Sequence, residues 1–597
     1  MSFSTKVGMG AIPYSDTGVT FRVWAPFASH VTLAGTFNEW SETKHPLYSE
    51  ENGYWSADVD VAKIGDHYQF VITNRNNQNV YWKNDPYARE MTHSAGDSVI
   101  VTRDFDWGDE SGYHTPSWNE MVIYEMHLGT FNDKPGGAPG NLNAATERLH
   151  YLKDMGINAI KIMPLTEFAG DFSWGYNPAH IFAVESVYGG PKAFKEFVKE
   201  AHNHEIAVIM DVVYNHLGPF DLDLWRFDGW GSKGGIYFYN DYRSKTPWGD
   251  TRPDYGRQEI RQFLRDNAIM WLEEFHVDGL RWDSTVNIRT CNNGGGCEIP
   301  DGWSFMQMVN HEINQKFSWK LTIAEDLQNN EWITKGTEHG GAGFDAQWDS
   351  NFVHPVRESI ITPDDHHRNM YAVRDAIYAR YNGDAFERVI YTDSHDEVAN
   401  GKRRTPEEIW PGNAGSWFSR KRSTLGAVLA FTSPGIPMIF QGQEFLEDQW
   451  FHDQDPIDWS KLDKFRGIHD MYRDLMHLRR NWGNKTAGLR GQHVHVHHIN
   501  NSDKVIAFHR WENGGPGDDV IVIINMSDRS YDSYTIGFPH DGKWNVRFNS
   551  DWNGYSDDFG NYLGYDSVAY RNGKDGMAYS ANIGIGPYSA LIISQNN

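Results

Sequence analysis

Arg281 and Asp283 stand two residues apart in Val277-Asp278-Gly279-Leu280-Arg281-Trp282-Asp283-Ser284, a run that reads as a short buried β-strand. Alternate side chains of a strand share a face, so a guanidinium and a carboxylate would emerge side by side at one rim. The cation favours the ionised carboxylate, which suits a nucleophile. Alone, such a pair is better read as a structural ion pair at a strand end. Its company changes that reading. Ala207 to Asp211 leads on to Tyr214-Asn215-His216, Leu321 to Ala324 is followed by Glu325-Asp326, and Val389 to Thr392 by Asp393-Ser394-His395-Asp396-Glu397. Each run is apolar first and polar at its C-terminal end, where parallel α/β barrels place their chemistry. Cleaving an acetal between sugars with retention needs a carboxylic acid to protonate the leaving oxygen and a carboxylate to trap the sugar. Asp283, Glu325 and Asp396 are the acids available for such work.

The elements that must carry these residues recur through the middle of the chain. Strand-like segments occur at 122–128, 159–165, 207–213, 278–284, 320–326, 346–349, 388–394 and 436–440, with helical patterns between them at 142–155, 191–204, 257–275 and 420–431. Eight strands in alternation with helices predict a closed (β/α)8 TIM barrel, over residues 107–488. The longest gap, between the third and fourth strands, begins with a Gly-, Trp-, Asp- and Tyr-rich stretch at 217–255, expected as a small excursion over the active-site rim. Residues 1–106 and 489–597 show short alternating strands separated by turn residues, and each is expected to form a β-sandwich.

Composition narrows the class of partner. The 597 residues carry a formal net charge of -26, which would repel nucleic acid or an anionic membrane surface. A neutral ligand is easier to accommodate. Aromatic residues make up 14%, including 24 Trp and 29 Tyr, and their flat faces suit either core packing or sugar rings. No apolar stretch reaches membrane-spanning length and the first residues hold no signal-like apolar region, so a soluble cytoplasmic protein is expected. In that compartment the two cysteines, Cys291 and Cys297, are expected as free thiols, although a local disulfide is geometrically open.

Val23-Trp24-Ala25-Pro26, Gly35-Thr36-Phe37-Asn38-Glu39-Trp40 and Asn84-Asp85-Pro86-Tyr87-Ala88 resemble the family 48 carbohydrate-binding module. That resemblance implies either aromatics that hold glucan or a module that only packs on the barrel. Asp211-Val212-Val213-Tyr214-Asn215-His216, Gly279-Leu280-Arg281-Trp282-Asp283, Ile323-Ala324-Glu325 and Ser394-His395-Asp396 match, in order, the four motifs of glycoside hydrolase family 13, the α-amylase family. The chain is identified as a member of that family over essentially its whole length. The resemblance implies Asp283 as nucleophile, Glu325 as general acid and base, and Asp396 as the carboxylate that holds the reacting sugar's hydroxyls. Arg281 would keep Asp283 ionised. Asp211, His216 and His395 would bind the same ring, and Tyr176, in Ser173-Trp174-Gly175-Tyr176-Asn177-Pro178, would stack on it with Trp174 also against the substrate.

Glu325 must sit where burial or a nearby carboxylate raises its pKa. Asp326 is one source, although on a strand it should face the other way. Asp393 and Glu397 are read as solvated or structurally paired, and His493, His495, His497 and His498 as bystanders on a surface strand. Asn215 matches a calcium position in many amylases, but no further ligands are identifiable; no metal or cofactor is expected. The partner is an α-glucan: amylose, glycogen or a maltooligosaccharide.

Within the family, Ser394 to Val398 with Gly401-Lys402, Gln441 to Phe445 with Trp450, Pro456-Ile457-Asp458-Trp459 and Trp271 to Gly279 resemble glycogen branching enzymes. These transfer a cleaved chain to a 6-hydroxyl, making an α-1,6 branch. Two features depart from their pattern: Asn215 in the first motif, and Asp326-Leu327 after Glu325. An α-1,4-glucan hydrolase, of α-amylase or maltooligosyltrehalose trehalohydrolase type, and a non-catalytic glucan-binding protein stay open as alternatives.

Overall fold

The computed structural model describes residues 2–15, 18–562 and 564–596. Eight parallel strands close into a barrel: β1 (Ile123–Met126), β2 (Ala159–Ile162), β3 (Ala207–Val212), β4 (Gly279–Trp282), β5 (Leu321–Ala324), β6 (Ala346–Trp348), β7 (Arg388–Ile390) and β8 (Ile436–Phe440), with β8 pairing back to β1. The predicted α/β class and barrel are those observed.

Strand alternation decides what the barrel encloses. Ile123, Ala159, Ala207, Ile209, Leu321 and Ile323 pack together with Trp348 inside it. The residues between them, Tyr124, Ile160, Val208, Met210, Leu280 and Ala324, join the larger core shared with the surrounding helices. Continuing the inward sequence two residues at a time reaches Glu125, Lys161, Asp211, Arg281, Asp283 and Glu325. The same face that packs the lower barrel therefore delivers charge at its C-terminal mouth.

The helices are held by their apolar faces. In Gln258–Glu273 the buried positions Ile260, Phe263, Leu264, Asn267, Ala268 and Trp271 fall at helical spacing. Asn267 is the polar member of that stripe, and it has partners: it donates to Ile181 O at 2.8 Å and accepts from Tyr214 Oη at 2.7 Å and Trp271 Nε1 at 3.1 Å. A buried amide left unpaired would be costly. Paired, it fixes Tyr214, the residue before Asn215.

N-terminal to the barrel lie a four-stranded and a six-stranded antiparallel-paired sheet, built on Val19–Trp24 with Tyr54–Val59, and on Ala28–Gly35 with His67–Asn74. The chain ends in an antiparallel six-stranded sheet centred on Val520–Asn525 and Ser589–Ser594, with the pair Tyr531–Phe538 and Tyr579–Ile585 beside it. Among the described residues, no helix is long and apolar enough to cross a membrane.

The excursion at 217–255 does more than cover the rim. Its base is closed by Leu217 and Thr251, through Leu217 N to Thr251 O at 3.2 Å and Thr251 Oγ1 to Leu217 O at 2.5 Å. Its outer half lies on the N-terminal sheets. Cys291 and Cys297 are joined as a disulfide, contrary to the expected free thiols. The antiparallel bridge between Thr290 and Glu298, with Cys291 N bonded to Cys297 O at 2.7 Å, brings the two ends of the glycine-rich loop together.

Candidate active site

Arg281 lies at the centre of the barrel mouth, fully buried. Its Nη1 meets Asp211 Oδ1 at 2.8 Å and Asp283 Oδ1 at 3.0 Å, and its Nη2 lies 3.2 Å from Glu325 Oε2. Asp211 and Arg281 are register partners on β3 and β4, so their contact follows from the sheet itself. The indole of Trp348 lies under the guanidinium, 4.4 Å from its carbon, a contact that favours the cation.

Asp283 is further held by Asn215, whose Nδ2 donates to Asp283 Oδ2 at 2.7 Å and to Asp283 O at 2.9 Å. Asn215 Oδ1 in turn faces His216 Nδ1 at 2.6 Å. A proton on Nδ1 leaves Nε2 of His216 as an acceptor; burial pushes this imidazole down to about 3, so it is neutral at ordinary pH. Its Nε2 is buried without a hydrogen-bond partner among the described residues. Ser284, immediately after Asp283, adopts a left-handed φ of 40°, a conformation unusual for a non-glycine residue. It thereby aims its N–H at Glu325 Oε2, at 2.7 Å.

Below this layer lies a second one. Glu125 and Lys161 are register partners on β1 and β2, both buried. Lys161 Nζ contacts Glu125 Oε1 at 3.1 Å and Asp211 Oδ2 at 2.5 Å, while Tyr176 Oη donates to Asp211 Oδ2 at 2.7 Å. His395 donates its backbone N–H to Glu125 Oε2 at 2.9 Å and lies with Nδ1 2.6 Å from Glu125 Oε1. The Tyr176 ring stacks on His395 at 5.0 Å, and His395 Nε2 faces Asp396 Oδ2 at 3.4 Å. Despite burial, Lys161 and His395 hold the Glu125 carboxyl well below its usual range.

The segment carrying His395 and Asp396 is pinned by Arg357, which donates to Thr392 O at 2.8 Å and pairs with Asp393. Asp393 and Glu397 are thus structurally paired, Glu397 with Lys402 as well at 3.0 Å. The 173–177 segment is anchored where His127 Nε2 meets Ser173 O at 2.9 Å.

Ser173, Trp174, Tyr176, Asn177, His216, Trp248, Asp283, Ser284, Glu325, His395, Asp396, Asn400 and Asp453 line one cleft of about 510 Å³. The structure thus brings Asp283, Glu325, Asp396, Tyr176, Trp174, His216 and His395 together around one space. Asp211 and Arg281 sit beneath it rather than on its wall.

Electrostatics separate the acids. Burial raises both Asp283 and Glu325; Arg281 opposes the rise in each, and the neighbouring carboxylates add to it. Glu325 is raised well above the usual carboxyl range, and Asp283 is raised as well. Asn215 lowers the pKa of Asp283 by donating to its Oδ2 at 2.7 Å, a hydrogen bond that favours the ionised carboxylate. A carboxyl pushed toward its protonated form beside one whose ionised form is hydrogen-bonded suits an acid and a nucleophile sharing a site. Asp326, beyond the end of β5, faces away from the cleft, as strand alternation implies, and pairs with Arg289 at 2.8 Å, while Asp283 and Asp396 act on Glu325. Among the described residues, no group of three or more His, Cys, Asp or Glu side chains is arranged to hold a metal ion.

Sequence reasoning did not select Glu125, Lys161, Asn215 as a partner of Asp283, or Trp248. A signal for the first two was present: a lone charge inside each of the otherwise uncharged runs Ile123-Tyr124-Glu125-Met126 and Ala159-Ile160-Lys161-Ile162 needs a buried counter-charge.

Residues 8–88 match the model of carbohydrate-binding module 48 (isoamylase N-terminal domain), 99–223 the α-amylase catalytic domain, and 495–596 the α-amylase C-terminal all-β domain. A 1,4-α-glucan branching enzyme of Oceanobacillus iheyensis is 30% identical over 565 residues, covering 89% of this chain and 86% of the relative. Another, of Picrophilus torridus, is 30% identical over 603 residues, covering 97% and 80%. In fold, the chain is similar to pullulanase type I from Bacillus subtilis, solved with maltose (TM-score 0.76, 21% identity, 100% and 86% covered), and to a pullulanase from Anoxybacillus solved with maltotetraose (0.74, 22%, 99% and 88%).

Proposed function

The chain belongs to the α-amylase family, glycoside hydrolase family 13, with a family 48 carbohydrate-binding module and a C-terminal all-β domain, and from that premise we propose that it is a 1,4-α-glucan branching enzyme. In this reading Asp283 attacks the anomeric carbon of an α-1,4-linked glucose unit while Glu325 protonates the departing oxygen, leaving a glycosyl ester on Asp283. Glu325, now ionised, takes the proton from the 6-hydroxyl of an incoming glucan. That oxygen displaces Asp283, giving an α-1,6 branch with net retention.

The observation that carries the chemistry is the pair Asp283 and Glu325 on one guanidinium, with Asn215 donating to Asp283 and burial pushing Glu325 up. Asp211 and Asp283 share Arg281, Asp211 and Glu125 share Lys161, and with Asp396 on the cleft wall these carboxylates outnumber the two cations. This excess negative charge supports an oxocarbenium-like transition state. In this reading His216 and Asp396 hold hydroxyls of the reacting ring, with Tyr176 and Trp174 packed against it. The choice of a sugar acceptor over water rests on the branching-enzyme relatives, which align along nearly the whole chain. Asn215 and Asp326-Leu327 favour the second reading, hydrolysis of α-1,4-glucans.

Amylose distinguishes the two. Branching lowers and blue-shifts the iodine colour without new reducing ends, which emerge only after debranching. Reducing sugar released from the first minutes would establish hydrolysis instead, and an unchanged glucan that still retards the protein in a glycogen gel would leave only binding.

A further inference from the structure

We propose that Trp248 is a sugar-stacking subsite of the cleft, positioned by the N-terminal module through the 217–255 excursion. The inference rests on the α-glucan reading above and adds a residue outside the four motifs.

Three observations carry it. First, Trp248 lines the same cleft as Asp283 and Glu325 and stacks on His216, centroids 4.4 Å apart and planes at 19°. Yet it is 43% exposed, so one face of the ring is committed and another is open. An exposed indole stacked on the neutral His216 in this cleft suits the apolar face of a glucose ring next to the reacting one. Second, the ring is presented by a tight turn. Thr246 N bonds Gly249 O at 2.7 Å, and Trp248 N bonds Thr246 Oγ1 at 3.1 Å. Fixing the backbone lowers the ordering cost on binding.

Third, the excursion that carries this turn is latched to the module. Asp228, fully buried, accepts from Phe27 N at 2.9 Å through its carboxylate and from Asn74 Nδ2 at 2.6 Å through its carbonyl. Phe27 stacks flat on Trp230 at 4.7 Å. Asn84 Nδ2 reaches Asp223 at 2.8 Å, and Ser94 Oγ reaches Asp221 at 2.8 Å. These contacts join segments more than a hundred residues apart, and the structure assigns the module a mechanical role in shaping the cleft. Asn74 and Phe27 are positioning residues; of the three, Trp248 alone touches sugar.

The test uses the full chain carrying Asp283→Asn, so that glucan is bound without turnover, and titrates maltoheptaose by calorimetry. Trp248→Ala should weaken binding about 3- to 10-fold, the order of one ring contact, and Trp248→Phe should recover most of it. Asn74→Ala and Phe27→Leu should each weaken binding in the same direction. Neither should weaken it further once Trp248 is alanine, since effects transmitted through one side chain are not additive. Unchanged affinity in Trp248→Ala overturns the subsite. Latch variants that have no effect, or that add fully to Trp248→Ala, overturn the positioning role. If the Asp283→Asn chain with Trp248 intact binds no maltoheptaose, the α-glucan reading itself fails.

Discussion

Replacing Asn215 by alanine removes the amide that donates to Asp283 Oδ2 at 2.7 Å and to its carbonyl at 2.9 Å. The first of these is a hydrogen bond to a charged acceptor, worth about 1.5–3 kcal/mol net. It is made to the ionised form of the proposed nucleophile and also fixes its direction. At about 1.4 kcal/mol per decade of rate, losing it should lower kcat/KM roughly 10- to 100-fold. The pH dependence supplies a signature that misfolding would not mimic. Asn215 lowers the pKa of Asp283, so its loss raises that pKa, and Asp283 then becomes ionised only at higher pH. The acid limb of the kcat/KM profile should move to higher pH while the alkaline limb, set by Glu325, moves less. Initial rates on amylose across the pH range, with far-ultraviolet circular dichroism as a control for folding, read both effects. A variant within twofold of wild type, or one whose acid limb stays in place, would refute the role given to Asn215.

Other expectations follow from the same geometry. Asp396 raises the pKa of Glu325, so in Asp396→Asn the residual activity should lose its proton donor earlier and its alkaline limb should move to lower pH; a limb moving upward contradicts this. Lys161→Met leaves Glu125 and Asp211 buried without their shared cation. It should destabilise the protein by about 3–5 kcal/mol, seen as a lower urea midpoint, and an unmoved midpoint would show the pair to be dispensable. Cys291 and Cys297 are bonded, so thiol titration of the denatured, unreduced chain should find no free thiol, and two after reduction. Two reactive thiols before reduction would restore the sequence-based expectation.

The barrel was legible because each strand is a short apolar run with its polar residues displaced to one end, a pattern that the parallel sheet imposes on single segments. Arg281, Asp283 and Glu325 could be placed for the same reason, since their facing follows from counting residues along a strand. What escaped depends on contacts between distant segments. Nothing local to Asn74 or Asp228 shows that they meet, and Trp248 is one tryptophan in an aromatic-rich stretch until its turn is seen beside His216. Asn215 carried the identity of a metal ligand by resemblance, whereas here its amide is spent on Asp283. The thiols were judged by compartment, but the pairing of Thr290 with Glu298 decides their approach.

In the proposed mechanism Asp283 becomes covalently linked to sugar while Glu325 manages the proton. Incubating the protein with a 2-fluoro-substituted α-glucosyl fluoride, which slows breakdown of the intermediate, and mapping the adduct by peptide mass spectrometry reads this step. One glycosyl group is expected on the peptide containing Asp283, absent in Asp283→Asn. An adduct on Glu325 or Asp396, or turnover with inversion and no adduct, would contradict it.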